Sequence, residues 1–184
     1  MPVQVAFAEE RRDPAAHPFP TPSGKIEIFS RALYEREFSE FFPAIPRYVP
    51  APDGVEDPKR EIYPLQLVGY HTRRRCHSIH DNNPRLETLD PRAVWIHPAD
   101  AAERGIENGD TVLVFNERGR VRLPARVTER VMPGVAAMAQ GAWYRPGADG
   151  TDEGGNINTL TSQHPTPLAK GNPQHTNLVE IRKE

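Results

Sequence analysis

The residues best equipped for chemistry in this sequence are gathered in one stretch. The fourteen residues from Tyr70 to Asn83 hold three Arg, three His, two Asn, one Ser, one Asp and one Cys. Arginine offers a planar, permanently charged fork that matches phosphate. Neutral His, Asn and Ser supply the hydrogen bonds that orient a heteroaromatic ring. The set therefore suits a large ligand carrying both phosphates and rings. Two other readings stay open on these residues. One is a solvated basic loop, the common fate of charge runs. The other is a metal site using His71, Cys76, His77 and His80, although their spacing fits no standard zinc pattern.

A second polar stretch lies far along the chain. In Asn156-Ile-Asn-Thr-Leu-Thr-Ser162 the polar side chains surround two apolar anchors, Ile157 and Leu160, and residues 163–175 continue rich in amides. Between residues 140 and 175 no regular element is expected. A loop of that length is uncommon in a compact domain unless it serves function. No nucleophile paired with a base stands out, and Gly154-Gly155 lacks the Walker phosphate-loop pattern. Such a chain is expected to bind and orient a group whose chemistry is its own.

The elements that must hold these loops are short. Residues 62–70 read as a strand ending at Gly69, so the first polar loop leaves a strand end, where binding groups concentrate. Ala93–Ile96, Thr111–Phe115, Arg120–Thr128, Val135–Ala139 and Asn177–Arg182 read as further strands. Pro98, the alanines after it and Gly105 predict a short helix with a left-handed exit. Asn116-Glu-Arg-Gly119 predicts a hairpin. Val121, Leu123, Ala125 and Val127 should face inward, and Pro124 should mark an edge or a bulge. Helices are too few for a doubly wound sheet, so a closed small barrel is favoured, mainly β with short helices. Upstream, Lys25–Phe29 alternates like a strand, Arg31–Phe38 reads as a short helix, and Pro43–Pro58 reads as an extended linker. The expected organisation is an incoming segment and Pro-rich linker over residues 1–60, followed by a barrel over 61–184.

Composition narrows the classes. The net charge of -2 gives no broad basic face, which counts against nucleic acid as a partner even with Arg73, Arg74 and Arg75 adjacent. One Cys excludes an internal disulfide framework and a four-Cys iron–sulfur site within these residues. The 20 Pro and 13 Gly in 184 residues favour short elements joined by loops. No targeting signal is visible at the start of the sequence.

In order along the chain, Thr21-Pro-Ser-Gly-Lys-Ile-Glu-Ile28, His71 to Ser78, Asp100-Ala101, Gly105-Ile106, Gly109-Asp110 and Pro133-Gly134 form a recognisable series. Gly141-Ala-Trp-Tyr144, Asn158-Thr-Leu-Thr161 and Ala169-Lys-Gly-Asn-Pro-Gln-His-Thr-Asn-Leu178 continue it. The series resembles the C-terminal molybdopterin dinucleotide-binding domain of the dimethyl sulfoxide reductase family of molybdenum enzymes. Within that family it is most similar to the catalytic subunits of bacterial anaerobic dimethyl sulfoxide reductases. The resemblance implies a double-psi β-barrel. It implies a fragment of a larger catalytic subunit that reduces S- or N-oxides by oxygen-atom transfer, and a fragment inactive in isolation. The implied cofactor is bis molybdopterin guanine dinucleotide, its molybdenum held by other domains. The implied partners are those domains, an iron–sulfur electron-transfer subunit and a membrane anchor, with the parent exported to the periplasmic side of a membrane. Carried over position by position, His71 and His77 would bond the pterin or pyrophosphate, Arg75 would pair with phosphate, and Ser78 lies in the same motif. Asn158 and Thr161 would reach a pterin, and Asn172 and Gln174 would add polar contacts near the chain end. Cys76 departs from the pattern and reads as a packing residue. An interaction module without catalysis, or a nucleic-acid module built on Arg73–Arg75, are the alternatives.

Overall fold

The computed structural model describes residues 4–36, 42–166, 168–172 and 175–184. The chain divides into two compact units, residues 1–49 and 50–184.

In the first unit α1 (Ala8–Arg12) and α2 (Arg31–Tyr34) are single turns. Ser30 caps α2, its Oγ accepting from the Leu33 amide at 3.3 Å. The expected helix over 31–38 is thus confined to 31–34 among the described residues; Phe38 lies outside them. The strand expected over Lys25–Phe29 does not form. Alternation makes a strand only where a neighbour supplies the ladder. Ile26 and Ile28 are instead 74% and 71% exposed, and the segment folds back locally, with Thr21 Oγ1 donating to the Lys25 carbonyl at 2.7 Å.

The second unit is built on six strands, β1 (Leu65–Tyr70), β2 (Val94–Ile96), β3 (Thr111–Phe115), β4 (Arg120–Val127), β5 (Val135–Ala139) and β6 (Asn177–Lys183). They close into a barrel in the order β1-β5-β2-β4-β3-β6. The pairs β1/β5 and β2/β4 are parallel and the other four are antiparallel. This is the mainly β, short-helix barrel expected, of the double-psi class. Closure leaves no full-length open edge, which removes the aggregation risk of unpaired strand groups. The inward rows are Leu65 and Leu67, Val94 and Ile96, Val112 and Val114, Val121, Leu123 and Ala125, Ala136 and Met138, and Val179 and Ile181, all at most 5% exposed. Burying each larger aliphatic side chain contributes about 1.5–3 kcal/mol.

Pro124 sits where β4 changes partner. Residues up to Pro124 pair with β3, while Ala125 onward pairs with β2. The missing amide thus falls where the strand passes from one neighbour to the other, each half being paired with a different strand. Two short helices complete the unit, α3 (Pro84–Leu89) and α4 (Pro98–Glu103). Asn83 caps the first, and His97 Nδ1 caps the second by accepting from the Ala99 amide at 3.1 Å. Gly105 provides the left-handed exit at φ 63°. Residues 50–60 belong to this unit. Buried Asp53 ties them down by ion pairs to Lys59 at 3.1 Å and Arg118 at 2.9 Å. The barrel's compact unit therefore starts at Pro50, where the sequence suggested linker up to residue 60.

Candidate functional site

The loop from His71 to Asn83 leaves the end of β1 and winds around one carboxylate, Asp81, whose side chain is fully buried. Arg75 Nη1 donates to Asp81 Oδ1 in a short contact, and the Trp143 amide donates to Oδ2 at 2.9 Å. Arg92 Nη2 lies 3.4 Å away, Arg145 Nη2 3.7 Å and Arg74 Nη2 3.8 Å. Burial by itself would push this carboxyl up. The Trp143 amide, the Arg75 bond and the charges of Arg92 and Arg75 outweigh it and hold Asp81 below its ordinary 3.8. Glu87 takes the remaining charge, 2.8 Å from Arg74 and 2.9 Å from Arg92.

The same loop is fastened to residues 140–143. Arg75 Nη2 donates to the Gln140 carbonyl at 2.9 Å, and Trp143 Nε1 donates to the Ser78 carbonyl at 2.9 Å. Gly141 has φ 83°, and a Cβ there would stand 2.0 Å from the His77 carbonyl oxygen. Only glycine allows that approach. His77 and His80 take left-handed backbone at φ 51° and 72°. Such conformations persist in non-glycine residues where the surroundings over-determine them.

A second buried carboxylate organises the other loop. Asp152 Oδ1 accepts from the amides of Arg145 at 2.8 Å and Gly154 at 2.9 Å, and Oδ2 accepts from Asn156 at 2.6 Å. Its own backbone is stitched to β4 through Arg120 and Arg122. Gly154 packs so closely on the Trp143 carbonyl that a Cβ would lie 1.9 Å from its oxygen. Downstream, Ile157 and Leu160 insert into the core at 1% and 0% exposure, as their apolar character suggested. They hold a single 3-10 turn, Ile157–Thr159, with Asn158 at its centre and Thr161 just after it.

The residues marked in the sequence fall into two groups. His71 and His77 are exposed on the first loop, their rings edge-to-face at 5.2 Å, with Ser78 exposed next to them. Asn158, Thr161 and Asn172 meet in one cleft with Ser162, His164 and Lys170. Thr161 is largely buried there, its Oγ1 donating to the Asn158 carbonyl at 3.2 Å. The cleft continues toward Tyr144, Arg118, Lys59 and Glu117. Lys59 is raised by its bonds to Glu117 and Asp53, whereas Glu117, pushed up by burial, ends below its ordinary value through the Lys59 bond. This rim therefore stays ionised at neutral pH. Among the described residues the two groups line different clefts; residues 140–145 join them, Trp143 gripping the first loop and Tyr144 lining the second cleft. Gln174 lies outside the described residues.

Arg75 takes a different position from the one expected for a phosphate ligand. It is 7% exposed and turned inward to Asp81 and Gln140, so here it shapes the loop. Three residues that matter went unmarked in the sequence reading: Asp81 and Asp152, which each hold a loop, and Arg118. No local pattern distinguishes the two buried aspartates from the chain's exposed ones. Among the described residues no group of three or more His, Cys, Asp or Glu is placed to hold a metal ion.

The donor set fits a pterin dinucleotide. Amides, hydroxyls and imidazoles line the clefts, and Arg118 Nη2 is buried at the cleft edge without a hydrogen-bond partner. Comparison with known proteins agrees. Residues 65–178 match the family described as the molydopterin dinucleotide binding domain. The chain is 49% identical over 185 residues to dimethyl sulfoxide reductase DmsA of Escherichia coli (strain K12), covering 97% of this chain and 23% of that protein. It is 45% identical over 187 residues to DmsA of Haemophilus influenzae, covering 98% of this chain and 23% of that one. It thus spans about a quarter of the length of these relatives. Among solved structures, acetylene hydratase from Pelobacter acetylenicus superposes with a TM-score of 0.69 at 20% identity, over 89% of this chain and 24% of that one, which supports the barrel fold. The expected cofactor, molybdopterin guanine dinucleotide, is of the class this family takes. The chain belongs to the molybdopterin dinucleotide-binding domain family.

Proposed function

We propose that this chain is the cofactor-binding barrel of a larger molybdenum oxidoreductase, one that reduces S- or N-oxides such as dimethyl sulfoxide by oxygen-atom transfer. The observation that carries the reading is the meeting of Asn158, Thr161 and Asn172 in one donor-lined cleft, joined through residues 140–145 to a loop whose paired His71 and His77 are exposed around the Asp81 hub. Names of the relatives point to the same chemistry. When bound, molybdopterin guanine dinucleotide supplies the redox centre; the work of this chain is to bind and orient it. His71, His77 and Ser78 would present hydrogen bonds from one loop, and Asn158 and Asn172 from the other. Thr161 would fix the turn that carries Asn158. Arg75 would act through the loop it holds. Arg118 and Lys59 would place positive charge where a phosphate could sit. In this reading the remaining domains of the catalytic subunit supply the other wall of the site and hold the metal. An iron–sulfur subunit and a membrane anchor complete the parent complex on the periplasmic side, and nucleic acid is not a partner.

The test uses the full-length parent. His77→Ala and Asn158→Ala should each lower molybdenum and pterin per polypeptide, since a buried ligand group would lose its partner. Metal analysis and mass spectrometry of the released cofactor measure this. Full cofactor content in both variants would overturn the reading. The 184-residue chain alone should show no oxide reduction with an artificial electron donor.

A further inference from the structure

The first unit, residues 1–49, has no part in the cofactor clefts. Among its described residues none is buried, so it lacks a hydrophobic core of its own. Phe7, Ile26, Ile28, Tyr34 and Tyr48 are each more than half exposed. Within it, Lys25-Ile-Glu-Ile28 alternates polar and apolar and runs on into Phe29. Ile and Phe favour strands, yet no strand forms there.

Both ends of this stretch are pinned. Upstream, the Gly24 amide donates to the Thr21 carbonyl at 3.0 Å in a turn that Gly24 completes at φ 68°, and Thr21 Oγ1 holds the Lys25 carbonyl. Downstream, the Ser30 amide donates to the Ala44 carbonyl at 2.7 Å, and the Phe29 ring packs on Tyr34 at 5.4 Å. Between the pins the backbone is open. Among the described residues nothing bonds the N–H or C=O groups of Ile26, Glu27, Ile28 or Phe29. In extended form Ile26 and Ile28 would share one face and Lys25 and Glu27 the other. A stretch with free backbone groups, one apolar face and fixed ends is suited to joining the edge of a sheet.

We propose that residues 25–29 form a strand on an open sheet edge elsewhere in the parent catalytic chain, with Ile26 and Ile28 buried against that sheet. This requires the larger parent inferred above but no role for the cofactor. Two observations select this occupant. The barrel offers no full-length edge, because each of its six strands already has a neighbour on both sides, and the barrel of a second copy offers none for the same reason. The two reductases compared above match 97% and 98% of this chain, so they share the first unit, and most of their length lies beyond the match. The domain-family match begins only at residue 65. The first unit thus goes with reductases of that size, which carry further domains for it to join.

The experiment is hydrogen exchange at single-amide resolution on the 184-residue chain and on the purified full-length catalytic chain. In the shorter chain the amides of residues 26–29 should exchange at unstructured rates. In the parent every second one should slow by about a hundredfold or more, since an added edge strand bonds its neighbour through alternate residues. Trypsin should cut the shorter chain after Lys25 and Arg31 and spare the parent at both. Ile28→Asp should return the parent to the exchange rates and cleavage of the shorter chain, whereas Glu27→Gln should not. Because Ile28 is exposed, Ile28→Asp should leave the urea midpoint of the 184-residue chain unchanged. The wild-type comparison stands even where a variant parent misfolds. Four results would overturn the proposal: equal exchange at 26–29 in the two chains, protection in the shorter chain that grows with its concentration, protection in the parent only after an electron-transfer subunit is added, or protection that Ile28→Asp leaves intact. Pterin content of the same parent sample reports separately. A protected strand in a parent without pterin would sink the cofactor reading and keep the strand; an unprotected strand in a pterin-loaded parent would do the reverse.

Discussion

The two polar loops solve one problem by opposite means. The loop 71–83 is wound on Asp81, a carboxylate that draws four arginine side chains within 4 Å. The loop 145–156 is wound on Asp152, whose three bonds come from backbone amides. In the first, charge is neutralised by charge; in the second, a carboxylate stands in for the missing ladder partners of a turn. The difference teaches that arginines counted in a sequence are not arginines available to a ligand. Two of the three in Arg73–Arg75 are buried, and Arg75 has its fork turned inward. The hub releases the histidines instead, leaving His71 and His77 exposed.

Removing the hubs tests the contrast most directly. Asp81→Ala leaves several buried guanidiniums uncompensated and should cost about 3–5 kcal/mol. Urea unfolding of the chain measures it; a loss no larger than that of Asp152→Ala would break the comparison. Gly141→Ala must relieve both a left-handed φ and a backbone clash at His77, at about 2–3 kcal/mol, seen as a lowered denaturation midpoint. Because Gly141 belongs to the fastening of the first loop, hydrogen exchange should quicken at residues 76–80 and not at 156–160. Asp152→Ala should cost about 2 kcal/mol, since amides that lose an acceptor can in part turn to water. Here the faster exchange should appear at 154–158.

The smallest effect concerns pH. Asp81 titrates below its ordinary 3.8 in the folded chain. The ionised form therefore stabilises the fold above that value, and the contribution is lost as pH falls through the folded value. Asp81→Asn should flatten the acid limb of the stability curve. An unchanged slope would show that other carboxylates, such as Asp57 or Glu117, govern acid unfolding.

Much of this was legible in the sequence. Each expected barrel strand is present, because the period-2 rows of Val, Leu and Ile are local and a closed barrel buries one full face. The helix at Pro98 and its glycine exit follow from local capping rules. The anchors Ile157 and Leu160 were readable as apolar residues in a polar run. Lys25–Phe29 misled for the complementary reason: its alternation is local, but strand pairing is not.

What the sequence by itself determined is therefore the barrel's strands and the identity of its two polar loops. The closing order of the strands, the burial of Arg74 and Arg75, and the choice of Asp81 and Asp152 as hubs were decided by tertiary structure alone. The cause is distance along the chain. Arg75 meets Gln140 across 65 residues and Asp81 meets Trp143 across 62, so the environment of each charge is set by residues that no local window contains.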